Sequence, residues 1–345
     1  MIRFGPAGIP LSCKGRTLKD GIEDVHNLSL TAIEIQMVRA AAYTRYPTEE
    51  EIGLGIKDIE EDFVTEIIRD EELITDTGES IEEEDELIYM PSGITDCFGE
   101  LYEIGDMAKR LDVDISLHTP YYMDLGSNTE MTESCLDNIR RAGLVLNALD
   151  GSMVVTSLGL YTGKLPGEDI ENNIIENVAI LMEWWKETGL TPKLGIEVTG
   201  HQSVFGSLDQ VLDLCKEVDG IVPVINFPHH HSRTEGSLIE QDDFLDILQQ
   251  VEPYCKGCNI HTSFAGVEHN EGNERRLTPI KKGDLKFEPL AEALCELRPN
   301  ATIISSSPLL EHDAMYMRII NERVLSKRVA KALKEKRKAE AVVEG

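Results

Sequence analysis

The chain lacks the long apolar runs, the dense cysteine framework and the surplus of basic residues that mark three large classes of protein. Although 41% of its 345 residues are apolar, no stretch approaches the ~18 to 20 consecutive apolar positions of a membrane-spanning helix, so helical spans are excluded. The opening MIRFGPAGIPLSCKG has no continuous apolar segment of the secretory kind, and a cytoplasmic protein is expected. Seven cysteines, odd in number and scattered, do not form the framework of a small secreted domain, and reduced thiols are the simpler expectation. Basic residues are scarce: 33 Lys and Arg stand against 63 Asp and Glu, a net charge of −30. That excess opposes generic affinity for nucleic acids or anionic membranes. Also absent are an internal repeat and a GxGxxG turn after the first apolar run, the signature of a dinucleotide-binding sheet.

The charge is unevenly spread. Between Tyr46 and Tyr89, 18 acidic residues face only Lys57 and Arg69, a local balance of −16. Runs such as EEE at Glu49 to Glu51 and EEEDE at Glu82 to Glu86 read as a solvated insertion (46–89) with little to bury, or as an acidic surface for a basic partner. The opposite bias closes the chain: Glu322 to Gly345 holds eight Lys or Arg against four Glu, with Val324, Val329 and Leu333 near helical spacing. This predicts a basic helical tail over 321–345, packed on the outside of a single domain that fills 1–320.

Short apolar runs alternate with longer amphipathic ones. MIRFGPAG, TAIEIQMV (31–38), VDISLH (113–118), SMVVTS (152–157), KLGIEV (193–198), GIVPVIN (220–226), GCNIHT (257–262) and ATIISS (301–306) read as buried strands. CLDNIRRAGLVLNAL (135–149), ENNIIENVAILMEWWKE (171–187) and SLDQVLDLCKEV (207–218) have the 3.6-residue period of helices. Ser207 ahead of Asp209 and Gln210, and Thr129 ahead of Glu130 and Glu133, supply N-caps with acids in the first turn. Eight strands alternating with helices, in a chain of this length, predict an α/β fold of the (β/α)8 TIM barrel type with an acidic insertion after strand two.

In such a barrel the chemistry gathers at the face where the strands end. The polar residues expected there are His118, Ser157, Glu197, Asn226 with the His229, His230, His231 run, His261 and Ser306. Imidazoles and a carboxylate drawn from several strand ends suit a divalent metal, zinc or manganese by ligand type.

These residues carry a family likeness. LHTPYYMDLGS (117–127) resembles the segment of endonuclease IV-type apurinic endonucleases in which a zinc-binding His precedes a Pro-Tyr pair. GIEVTG (195–200) is similar to that family's strand ending in a metal-bridging Glu. INFPHHHSR (225–233) resembles its strand with an Asp followed three residues later by a His, and NIHTS (259–263) its strand ending in a His. The likeness runs in register to SSSPLLEHDAM (305–315), is strongest to the archaeal branch, and lies within the wider xylose isomerase-like barrels. It implies His118, Glu197, His229 and His261 as metal ligands, with Glu197 catalytic. The same register sets Ser157, Asn226 and Ser306 where the family has His, Asp and Glu, and Arg275 and Leu277 where a loop supplies Asp and His. Hydroxyls and amides are far poorer ligands, so one ion, or two, is expected in place of three. His201, His231, Glu268, His269 and Glu274 occupy the neighbouring loops as replacement ligands.

Cys255 and Cys258 form one CxxC. A structural zinc needs two more ligands, and at ~3.3 Å per residue Cys258 lies roughly 10 Å from His261 toward the opposite face, so core or surface thiols are expected ahead of metal or redox work.

Two classes of function follow. In the first, implied by the resemblance, metal polarises a phosphodiester and activates water at an abasic site in DNA, giving a repair hydrolase whose reduced metal site predicts weak or absent activity. Tyr121 then probes the gap left by the base, and Arg233, Arg275, Arg276, Lys281 and Lys282 meet the DNA. In the second, the barrel is repurposed for a small phosphorylated or sugar-like ligand or a protein partner. A sugar isomerase or epimerase is disfavoured, because strands six and eight end in Asn226 and Ser306 rather than carboxylates.

Overall fold

The computed structural model describes residues 1–38, 40–91 and 93–343, with side chains as far as residue 336. Its centre is one sheet of eight parallel strands: β1 (Ile2–Pro6), β2 (Ala32–Gln36), β3 (Asp114–His118), β4 (Met153–Thr156), β5 (Lys193–Glu197), β6 (Ile221–Asn226), β7 (Ile260–Phe264) and β8 (Ala301–Ser305). Neighbours follow chain order from β2 to β8, and β1 pairs with β8 along its whole length, from Ile2 opposite Ala301 to Pro6 opposite Ser305. A single bridge, Ala7 to Glu34, joins β1 to β2, so the barrel is nearly closed. Gly5 is required at that seam, because a Cβ there would lie 1.8 Å from the Ala32 carbonyl oxygen. Each expected strand is present, and the architecture is a TIM barrel.

Helices α1 (Leu18–Asn27), α2 (Gly99–Arg110), α3 (Glu130–Ala148), α4 (Gly167–Glu187), α5 (Leu208–Glu217), α6 (Gln241–Val251), α7 (Phe287–Leu297) and α8 (Glu311–Val343) each follow the strand of the same number. Ser207 and Gln210 form a capping box on α5; Thr129 forms one on α3, with Thr132 as its reciprocal partner in place of an acid. Inside the barrel, toward the strand N-termini, Met153, Val155, Val222 and Val224 form a small apolar cluster of their own.

The segment 46–89 departs from expectation. Strands Tyr43–Arg45, Glu86–Tyr89, Val64–Arg69 and Glu72–Ile74 make an antiparallel sheet in that order, between β2 and α2. Ile56, Phe63, Val64, Ile67, Ile81 and Leu87 are buried in the same core as the barrel, and Phe63 stacks on Phe98, just ahead of α2, at 5.9 Å between ring centroids. Glu66, 1% exposed, binds Arg141 of α3 at 2.6 Å. The insertion also neutralises itself in part: Arg45 holds Glu51 and Asp62, and Arg69 holds Glu79, Glu82 and Asp85. It is therefore a structural layer on α2 and α3, and the expectation that it buries little is corrected. The C-terminal helix begins earlier than expected, at Glu311. It is buried through Ala314, Met317, Ile320 and Val324, beyond which Leu325, Val329 and Leu333 are exposed. Among the described residues, no helix is long and apolar enough to cross a membrane.

Because the insertion shares the barrel core, Glu66→Ala should strand the Arg141 guanidinium and cost about 3–5 kcal/mol, the usual penalty for breaking a buried ion pair. Equilibrium urea unfolding measures it. A midpoint equal to that of the parent chain would show that the insertion is an appendage after all.

Candidate metal centre

His118 is the last residue of β3 and Glu197 the last of β5. Asn226 ends β6 and opens the short helix Phe227–Arg233, whose His229 N–H donates to Asn226 Oδ1 at 3.2 Å. Pro228 sits in that first turn, where a missing donor costs nothing. The capped turn swings His229 back over the barrel mouth. After β7 a hairpin, Gly266–Asn270 with Asn273–Thr278, brings Glu274 onto His229 from above. Gly200 leaves room for both, since a Cβ there would come within 3.1 Å of each.

The four side chains meet. His118 Nε2 lies 3.4 Å from Glu197 Oε2, His229 Nδ1 lies 3.8 Å from the same oxygen, and His229 Nε2 lies 3.2 Å from Glu274 Oε2. The Asn226 amide donates to Glu197 Oε1 at 3.0 Å. Burial alone would raise the Glu197 pKa, but His118, His229 and Asn226 outweigh it and hold the carboxyl at about 2. Burial alone would depress His118, yet Glu197, helped by Glu34, carries it up to about 9. Without metal, His118 and Glu197 therefore form an ion pair at neutral pH.

Each ring's second nitrogen decides whether the set fits a cation. His118 Nδ1 faces the Thr119 carbonyl at 2.7 Å, and His229 Nδ1 faces the Val198 carbonyl at 3.0 Å. A carbonyl only accepts, so both Nδ1 atoms carry protons and Nε2 is the nitrogen each ring can offer a metal, that of His118 only after it gives up the proton it shares with Glu197, the arrangement found in ligating histidines. Glu274 Oε2 is buried with no hydrogen-bond donor. By donor type, two Nε2 atoms and two carboxylates suit a divalent ion that takes nitrogen and oxygen ligands, while no three of the four offer ligand atoms all within 4.8 Å of one another, so an ion here requires these side chains to draw together.

A second cluster is tighter but differently made. Among the described residues, only His231, His269 and Asp284 form a trio whose ligand atoms all lie within 4.8 Å of one another. His231 is two residues from His229 on the short helix and so faces away from it. Its Nδ1 accepts the Leu238 N–H at 3.1 Å, which puts the neutral ring's proton on Nε2, toward Asp284 Oδ1 at 3.3 Å. Burial lowers the His231 pKa and keeps the ring neutral. With His269 Nε2 also 3.5 Å from Asp284, this tautomer fits a clasp between helix and hairpin better than a metal at Nε2.

The remaining sequence candidates are placed as follows. β7 continues to Phe264, so His261 is its second residue and does not end it. Asn226 is level with Ser263, which makes Ser263 the strand-seven residue at the mouth. His261, two residues deeper, bonds Glu34 at 3.1 Å across the barrel interior, both side chains being buried. Glu34 was not among the sequence candidates, although a lone charge inside the run AIEI was a signal for it. Glu274, not Arg275 or Leu277, is the hairpin residue that enters the site. Arg233 does not face the mouth as a free cation: it donates to Thr199 Oγ1 and to the His201 and Val204 carbonyls, bracing the loop after β5. Arg276 pairs with Glu268 at 2.7 Å on the hairpin, and Lys281 sits 4.3 Å over the Tyr316 ring. Tyr121 and Tyr122 are 59% and 78% exposed, edge to face at 5.4 Å.

Metal binding at His118 must expel the proton that Glu197 stabilises there. Zinc uptake should therefore release about one proton near neutral pH, and its apparent affinity should climb with pH through about 9, above which the ring is already neutral. Calorimetry in buffers of different ionisation enthalpy reads the proton count. Zero release at neutral pH would place the ion elsewhere.

Comparisons with known proteins agree with this geometry at the level of the fold. Residues 91–308 match the family described as "Xylose isomerase-like TIM barrel". An uncharacterised protein of Methanocaldococcus jannaschii is 32% identical over 234 residues, covering 64% of this chain and 84% of that one. A D-tagatose 3-epimerase-like protein superposes with a TM-score of 0.62 at 16% identity, covering 95% of this chain and 99% of that one. Endonuclease IV from Thermus thermophilus gives 0.55 at 14% identity, covering 94% and 99%. Such low identities establish fold and leave the reaction open. With eight parallel strands, a polar mouth and a family match over most of the barrel, the chain belongs to the xylose isomerase-like TIM barrels.

Proposed function

We propose that the protein is a metal-dependent phosphodiester hydrolase that works with one divalent ion, zinc before manganese, at His118, Glu197, His229 and Glu274, with an abasic site in DNA as its candidate substrate. The observation behind this reading is the pair of imidazoles whose Nδ1 protons are held by carbonyls while the Nε2 atoms turn toward carboxylates. A bound divalent ion supplies Lewis-acid polarisation and a water of lowered pKa. The chain's own groups do the rest. Glu197 bridges the two rings, and Glu274 closes the set from the hairpin with its otherwise unpartnered Oε2. The phenol of Tyr121, on a side chain 59% exposed, is pushed up to about 12 by partial desolvation at its inner edge and by Glu274 and Glu197, so it stays protonated and donates to a substrate oxygen. Hydroxyls at Ser157, Ser263 and Ser306 and the amide at Asn226 favour one ion over three.

A second reading, a small sugar-like or phosphorylated ligand, is favoured by one observation: Arg233, Arg276 and Lys281 are already engaged within the protein. Few cations remain to meet a DNA backbone on a chain of net charge −30. Sugar epimerases among the similar structures support this reading in fold only.

With zinc loaded, cleavage of bis(p-nitrophenyl) phosphate should fall at least about 100-fold in His118→Ala, because losing even a partner of a ligand commonly costs about 10–100-fold. Incision of an abasic-site duplex should be weak and should rise when salt goes from low to moderate, because screening relieves repulsion. Hydrolysis indifferent to His118→Ala would sink the hydrolase reading. Asn226→Asp sets a carboxylate against Glu197, replacing a donor with an acceptor at 3.0 Å. The metal-free variant should lose about 1–3 kcal/mol and regain it with zinc, seen as a wider gap between apo and zinc-loaded Tm than in the parent.

A further inference from the structure

The opposite end of the barrel carries chemistry that the mouth does not use. After α6 the chain makes a 3-10 turn at Glu252–Tyr254, and the Cys255 N–H closes on the Glu252 carbonyl at 3.1 Å. The next turn closes from the Cys258 N–H to the Cys255 carbonyl at 3.3 Å, with Gly257 at φ 84°, a left-handed conformation that glycine adopts freely. Both thiols line one open cavity of about 360 Å³ with Glu252, Asn259 and Asn300. Cys258 also borders a second cavity of about 530 Å³, beside Arg3, Asp114, Lys193, His261 and Thr302. Cys255 is buried and Cys258 half-buried.

We propose that Cys258 and Cys255 form a thiol–disulfide exchange site on the N-terminal face of the barrel, with Cys258 as the attacking thiol, Cys255 as the resolving thiol and a small organic disulfide as co-substrate. The turn sets the two cysteines at the ends of one four-residue loop, and both cavities give a small molecule access to Cys258. The surroundings divide the roles. The neighbouring Cys255 thiol draws the Cys258 pKa down against the opposing effect of burial, and Lys193 and His261 draw it down further. The Cys258 thiol beside it, together with burial, pushes Cys255 up. Burial also drives Cys215, on α5, up to about 12 and leaves it a poor nucleophile.

The chemistry balances without any other oxidant. The Cys258 thiolate attacks one sulfur of the organic disulfide, forming a mixed disulfide and expelling one thiolate. Cys255 then loses its proton and attacks the Cys258 sulfur, forming the Cys255–Cys258 bond and expelling the second. The protein is oxidised by two electrons, and the organic disulfide is reduced to two thiols.

The test uses the full chain and bis(2-hydroxyethyl) disulfide at neutral pH, followed by peptide mass spectrometry. The parent protein should form the Cys255–Cys258 disulfide about tenfold faster than adducts appear on Cys97 or Cys215, the other half-buried thiols. Cys255→Ser should accumulate a mixed disulfide on Cys258, and Lys193→Met should slow the first step in the parent background. Modification of Cys258 no faster than Cys97 in the parent chain would overturn the proposal, and so would adducts on Cys255 ahead of Cys258. Neither readout depends on metal at the mouth.

Discussion

Glu197 has to be buried and ionised at once, and its neighbours are arranged around that requirement. A carboxylate taken out of water costs several kcal/mol unless opposite charge and hydrogen bonds meet it. Here they come from three elements: His118 from β3, Asn226 from β6 and His229 from the short helix that Asn226 caps. Below it the same problem recurs, with Glu34 held by His261. A barrel interior built for stability alone would continue the packing of Met153, Val155, Val222 and Val224, because apolar replacements for buried ion pairs are commonly neutral or stabilising. Two carboxylate–imidazole pairs along the axis are therefore a cost that packing for stability alone does not account for.

Asn226 shows how the site differs from one that holds several metals. Its Nδ2 gives Glu197 a fixed donor and its Oδ1 gives His229 its cap. One amide thus does structurally what a metal shared by two carboxylates would otherwise do. Glu197 stays in place without an ion, and the site can fold before it is loaded. The consequence is a lower ligand charge, hence weaker capture of the ion.

Much of this could be read from the sequence, and the failures share one cause. The eight strands and the helix caps at Thr129 and Ser207 were visible because apolar runs and turn chemistry are local signals. His118 and Glu197 were found because an apolar run stopping at a polar residue marked a true strand end. The same rule misplaced His261, since β7 carries His261, Thr262 and Ser263 inside the strand, facing a partly polar barrel interior or its hydrogen-bonded neighbours. In the insertion, VTEIIR hid a buried strand because the acidic runs on either side of it outweigh Val64 and Ile67 in any local composition. Arg233 and Arg276 looked like free cations because composition counts charges and not their partners. Glu34 and Glu274 depend on contacts across more than 200 residues for the first and on a hairpin fold-back for the second, neither of which local pattern records.

Electrostatics then orders the events at the mouth. Partial desolvation, with Glu274 and Glu197 adding to it, raises the Tyr121 phenol above its ordinary value, and the carboxylate share of that rise shows that a ring at the rim senses the negative charge of the mouth. The nearby cations are engaged in bracing a loop, pairing a hairpin acid or stacking on a ring. Under the proposed one-ion reading, a phosphate or sugar-phosphate would be repelled by the metal-free mouth and a divalent cation attracted to it, and an ion held by His118, Glu197, His229 and Glu274 would supply the positive field that lets an anionic substrate approach Tyr121.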